Sequence, residues 1–185
     1  EEHTHNLSCL LFFCSKEEHT HTSECPSRSK DAKAAAINFL DSYRLNATAG
    51  RYVALVDFNT TAKVAAEWQD VSTSDGYTAI LNAINGLEAD GGTNLQQGLV
   101  NAQNLFSDQT IHGIAAKHVV TLTDGEPTLY GKDGKDGGRN YCDVDTFDAT
   151  NTAATNLKAV ARLHTISFGT STEKMLKKPA SFVWE

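Results

Sequence analysis

Apolar positions recur along this chain at two spacings, and the alternation between them outlines the fold. Residues 31–43 set Ala36, Ile37, Leu40 and Tyr43 on one helical stripe, with Ser29 placed to cap it. Residues 52–58 (Y-V-A-L-V-D-F) are almost continuously apolar, as a buried strand requires. A turn at 59–61 leads to a second strand at 62–68, so the two predict a hairpin. Residues 75–87 bring Tyr77, Ile80, Leu81, Ile84 and Leu87 to one helix face behind a Ser74 cap. After the turn at 90–92, residues 94–106 form a helix with Leu95, Leu99, Ala102 and Phe106 inward. Residues 118–123 read as a strand, 125–146 as a Gly- and Asp-rich loop, 149–161 as a helix and 163–168 as a strand. Residues 171–178 start a last helix that Pro179 stops. Helices between strands predict an α/β three-layer sandwich. Its central sheet is mostly parallel with one antiparallel edge strand, and helices cover both faces.

The first thirty residues break this regularity. They hold three of the four cysteines (Cys9, Cys14 and Cys25, with Cys142 the fourth) and four of the seven histidines. They also repeat E-E-H-T-H at 1–5 and 17–21, and the composition changes near Ser29. The His3/His5 and His19/His21 pairs lack the spacing of a structural zinc site. Residues 1–29 therefore read as an atypical segment, disordered or non-native, ahead of a domain at 30–185. The apolar run 9–14 is short for a signal-peptide core and follows Glu and His rather than Lys or Arg, so no intact targeting signal is visible. No stretch is long enough to span a membrane. The cysteines form no Cys-x-x-Cys pair, and three pairings are open to them.

A formal net charge of -7, with no basic cluster longer than Lys177-Lys178, argues against binding to a nucleic-acid backbone. The chain carries no Gly-x-Ser-x-Gly, His-Glu-x-x-His or Gly-x-x-x-x-Gly-Lys signature of hydrolase, zinc protease or nucleotide chemistry. Asn6, Asn46 and Asn59 stand in Asn-x-Ser/Thr triplets, which matter only on a eukaryotic secretory route.

Two residues carry candidate chemistry. Asp124 follows a buried strand and precedes Gly125, which puts a carboxylate at the ligand end of the sheet or an Asp in a turn. Thr93 begins Thr93-Asn94-Leu95-Gln96, which matches a capping box and equally offers a hydroxyl to a hard cation. The loop beyond Asp124 adds Glu126, Asp133, Asp136, Asp143, Asp145 and Asp148. Asp143-Val144-Asp145 invites a calcium reading, but the loop lacks EF-hand spacing.

Four segments in this order resemble a von Willebrand factor type A domain over about residues 30–185. They are Y-V-A-L-V-D-F (52–58), D-G-G-T-N-L-Q-Q-G-L (90–99), V-V-T-L-T-D-G-E-P-T (119–128) and L-H-T-I-S-F-G-T (163–170). The wording is most similar to bacterial cell-surface versions, including pilus-associated adhesins. The resemblance implies a Rossmann-like fold, an extracellular or cell-surface location, and protein binding rather than catalysis. It also implies Mg2+ or Mn2+ at a metal-ion-dependent adhesion site whose open position takes a carboxylate from a protein partner. Thr93 and Asp124 match the second and third loops of that site, and Gly92, Asn94, Gly125 and Glu126 are the neighbouring ligand-binding candidates.

The first loop, Asp-x-Ser-x-Ser after the first strand, has no counterpart here. Residues 7–15 (L-S-C-L-L-F-F-C-S) can pass as the strand, but Lys16-Glu17-Glu18 follows. Ser27-Arg28-Ser29 supplies Ser-x-Ser without the Asp. The expectation is a domain incomplete at its N-terminal strand and truncated after Phe182-Val183-Trp184-Glu185. Three explanations stay open: a non-native N-terminus, a real strand with a degenerate loop, or Glu17 or Glu18 in place of the Asp. The functional reading is an adhesion module with an incomplete or weakened metal site. The alternatives are a Mg2+-dependent phosphoryl-transfer enzyme using Asp124 on a doubly wound sheet, and a non-functional fragment.

Overall fold

A computed structural model describes residues 7–14, 25–45, 50–88, 91–107, 116–123, 126–138 and 141–167. The elements run β1 (Leu7–Cys14), α1 (Cys25–Leu45), β2 (Tyr52–Phe58), β3 (Ala62–Asp70), α2 (Ser74–Asn85), α3 (Leu95–Leu105), β4 (Ala116–Thr123), α4 (Val144–Lys158) and β5 (Arg162–Ser167). The five strands form one sheet in the order β3-β2-β1-β4-β5. β1 pairs in parallel with both β2 and β4, β5 is parallel to β4, and only β3 runs antiparallel, as the outer arm of a hairpin with β2.

The position of β1 corrects two expectations. Leu10 stands opposite both Ala54 of β2 and Val119 of β4, so residues 7–14 are the middle strand of the sheet and the domain does not lack it. The composition boundary at Ser29 likewise falls inside α1, which begins at Cys25. A strand paired on both sides in a parallel sheet needs a continuous apolar sequence, and L-S-C-L-L-F-F-C answers to that. Pro26 in the first turn of α1 is a better start signal than Ser29, because its missing N–H falls where no helical bond is needed.

β2 divides the core. Its period of two sends Val53 and Leu55 to one face and Ala54, Val56 and Phe58 to the other. Val53 and Leu55 pack with Ala36 and Leu40 of α1, Ile80 and Ile84 of α2, and Val120 and Leu122 of β4. Phe58 and its neighbours pack with Leu95, Leu99 and Ala102 of α3 and Ala153, Ala154 and Leu157 of α4. Helices thus lie on both faces, and the carboxyl ends of β1, β2 and β4 point to one rim.

Beyond α1, three helix starts differ from the sequence expectation. Thr73, not Ser74, caps α2 and accepts from the Gly76 N–H. Asp143 caps α4, which starts five residues before the expected position 149. The third, at α3, bears on the site.

Candidate functional site

Three loops meet at the carboxyl rim: the β2–β3 turn at 59–61, the approach to α3 at 91–94, and the segment 126–138 after β4. Gly91 makes the turn at φ +71, a left-handed conformation that favours glycine. The Gly92 N–H then donates to Thr60 Oγ1 at 3.1 Å. Asn94 ties all three loops together. Its backbone N–H donates to the Asn59 carbonyl at 2.8 Å, and its side-chain amide donates to the carbonyls of Thr60 (3.1 Å) and Gly131 (2.8 Å). Its Oδ1 accepts from the Gln97 N–H at 3.1 Å, which makes it the N-cap of α3. Gly134, at φ +60, closes the far side, where a Cβ would overlap the Thr60 carbonyl.

This network removes the capping-box reading of Thr93. The cap sits one residue later, at Asn94, and Gln96 turns away to accept from the Gly131 N–H at 2.9 Å. Thr93 is fully buried. Its backbone is held from both sides by the following loop. Its N–H donates to Thr128 Oγ1 at 3.0 Å, and its carbonyl accepts from the N–H groups of Thr128 (2.9 Å) and Leu129 (3.2 Å). Among the described residues, its hydroxyl oxygen has no hydrogen-bond partner. Burying a hydroxyl unpaired costs about 1–3 kcal/mol, so a native chain that does so calls for an explanation. Thr121, Thr146 and Thr150 also bury unpaired hydroxyls, but within β4 and α4. Thr93 alone of the four lies in a loop at the strand ends, laced to the loop that follows Thr123.

The other expected site residues have different surroundings. Asp124 and Gly125 lie outside the described residues. Glu126 is half-buried, and Gly92 is buried with its N–H already on Thr60. Asn94 is fully buried and both polar atoms of its side chain are engaged in holding the loops. Asp143 accepts from the Thr146 N–H at 2.7 Å. It is the N-cap of α4. Among the described residues, no three His, Cys, Asp or Glu side chains gather as a metal cluster. Glu17, Glu18 and the four N-terminal histidines lie outside the described residues, and Ser27-Arg28-Ser29 belongs to the first turns of α1. The donors that fit a cation are therefore oxygen donors, with the Thr93 hydroxyl foremost, which suits Mg2+ or Mn2+ rather than a softer metal.

Sequence reasoning passed over Asp57, a lone carboxylate near the end of an apolar run. It is 5% exposed, faces Lys63 across the hairpin and meets its ammonium at 3.4 Å. Burial pushes its carboxyl above the ordinary value, and the attraction of Lys63 only partly opposes this. The folded state thus holds this proton more tightly than the unfolded chain does. Stability from this group is greatest in acid and is lost as pH rises through the raised value. Asp57→Asn should flatten that fall, as read from urea midpoints across the acidic range. An unchanged slope would mean that the carboxyl is not raised.

A mostly parallel sheet between two helix layers, with loops converging beyond the carboxyl ends of its strands, is an α/β sandwich, a class in which ligands commonly bind at that rim. The chain belongs to the von Willebrand factor type A domain family, whose model matches residues 17–126, more than half of its length. Solved structures share the fold at low identity. The pilus adhesin SpaC from Lactobacillus rhamnosus GG, in its open conformation, is 18% identical over 89% of this chain and 24% of that one, with a TM-score of 0.65. The PilB minor pilin from Streptococcus sanguinis is 16% identical over 91% of this chain and 51% of that one, with a TM-score of 0.67. The vWF domain of the type V pili tip protein Mfa5 from Porphyromonas gingivalis is 20% identical over 70% of this chain and 41% of that one, with a TM-score of 0.57. The chain thus spans between about a quarter and a half of these structures. No curated protein matches the sequence.

Proposed function

We propose that this chain is a protein-binding adhesion module of a bacterial surface or pilus protein, and that it binds through a weakened divalent-cation site at the carboxyl rim. The observation that carries the reading is the buried, unpartnered Thr93 hydroxyl in a loop whose backbone is fully tied down. An oxygen held so, with its lone pairs free, is preorganised for a hard cation at no reorganisation cost. Asp124 follows the last residue of β4 and is the one carboxylate the family motif adds. A bound Mg2+ or Mn2+ would supply a coordination position for an acidic side chain of the partner. With one hydroxyl and one carboxylate from this chain, and no Asp-x-Ser-x-Ser after β1 (the D-V-S-T-S at 70–74 ends the antiparallel β3, at the other rim), affinity is expected to be low.

An array of immobilised peptides with and without Asp or Glu tests the adhesion reading. The chain should retain acidic peptides preferentially in Mg2+, and lose that preference in a chelator or in Thr93→Val. Preference that survives the chelator would remove the metal from the account.

A further inference from the structure

The opposite end of the sheet carries a second concave surface. A groove of about 560 Å³ opens at the amino-terminal ends of β4 and β5, and Lys117, His118, Lys158 and Arg162 line it together with Ala116, Val160 and Ala161. We propose that this groove binds an oxyanion group, a phosphate or sulfate ester carried on a small molecule.

The charge distribution is the first support. The chain as a whole is at -7, yet the described lining holds three permanent cations and no carboxylate. Clustering cations in a concavity of a low-dielectric body focuses their field on what enters it. Lys117 is steadied by the Phe106 ring, with its ammonium 5.7 Å from the ring centroid. The carboxyl end of α4 brings a partial negative charge to the groove. Two of its last carbonyls are already taken, those of Asn156 by the Ala159 N–H and Leu157 by the N–H groups of Val160 and Ala161. Lys158 at that end offsets the rest.

The second support is an imidazole pair at the groove wall. His118 Nδ1 and His164 Nε2 stand 3.0 Å apart, with the rings 17° from parallel and their centroids 5.3 Å apart. At that distance one nitrogen donates and the other must offer a lone pair, so the pair can hold one extra proton but not two. Burial first, then the charges of His164 and Arg162, lower the proton affinity of His118. An anion in the groove would reverse the last two effects and draw a proton onto the pair. Arg162 and His164 on β5 share the sheet face of His118, while Lys117 and Lys158 of α4 reach the groove from the other face. The groove exceeds what one oxyanion fills, so the body bearing the group has room beside Val160 and Ala161.

Titration calorimetry with sodium sulfate, whose charge is constant across the range, tests the site at fixed ionic strength. Glucose 6-sulfate and glucose 6-phosphate distinguish the two sources, and acetate serves as the monovalent control. Sulfate should bind saturably at millimolar concentration and more tightly as pH falls from about 7.5 to about 5.5. Saturating sulfate should raise the His118 titration midpoint seen by NMR. Lys117→Gln and Arg162→Gln should each weaken binding about twofold to fivefold, and Lys30→Gln, an exposed cation on α1, should not. His118→Gln should remove most of the pH dependence. No saturation, binding equal to acetate, or binding indifferent to Arg162→Gln would overturn the proposal.

Discussion

Asn94→Ala should lower the stability of the domain by about 2–4 kcal/mol, read from urea unfolding, a large share of the roughly 5–15 kcal/mol that holds a domain together. The alanine removes three hydrogen bonds at once, to the Thr60 carbonyl, the Gly131 carbonyl and the Gln97 N–H. Loss of an N-cap alone costs about 1 kcal/mol, and each of the two carbonyl bonds adds about 0.5–1.5 kcal/mol. The more telling variant is Asn94→Asp. Aspartate caps a helix as well as asparagine does, so a residue that only capped α3 would tolerate it. Here the amide donates to two carbonyls, and a carboxylate would face both of them with no proton to give. Asn94→Asp should therefore destabilise at least as much as alanine. A neutral effect would reduce Asn94 to a cap and leave the three loops without their tie.

Restoring the first loop should have the largest effect on function. β1 ends at Cys14, so Ser15→Asp, Glu17→Ser and His19→Ser together write Asp-x-Ser-x-Ser directly after the central strand. The added carboxylate and hydroxyls bring the set to what a Mg2+ site needs, and Mn2+ affinity should rise by about tenfold or more, equivalent to about 1.4 kcal/mol. Thr93→Val in the same background should cancel the gain. Equal affinity before and after the three changes would mean that the native loop already supplies its ligands, with Glu17 or Glu18 the nearest carboxylates in sequence.

Much of the scaffold was legible because its periodicities are local. The stripe Leu95, Leu99, Ala102 and Phe106 is buried as spaced, and the hairpin of β2 and β3 follows from two apolar runs around a short turn. The site was less legible because its decisive contacts are not local. Thr93 and Asn94 are both good capping residues, and the choice between them depends on Thr128 and Gly131, some 35 residues on. Once those partners claim the Thr93 backbone, the cap passes to Asn94 and the Thr93 hydroxyl is left over. The central strand was obscured for a different reason. Cysteine, histidine and a verbatim repeat marked residues 1–30 as foreign, and composition outweighed an apolar run of the right length. The early start of α4 was signalled by Asp143 followed three residues later by Thr146, a cap hidden among loop acids.

Mn2+ titration followed by water-proton relaxation, on the chain as it stands and on Thr93→Val, tests the central claim most directly. The account predicts weak binding, with a dissociation constant of about 1 mM or higher, and none detectable in the valine variant. Valine keeps the shape and removes the unpaired hydroxyl, so without metal that variant should be as stable as the parent or slightly more so. Tight binding by the parent, or binding that Thr93→Val leaves unchanged, would contradict it.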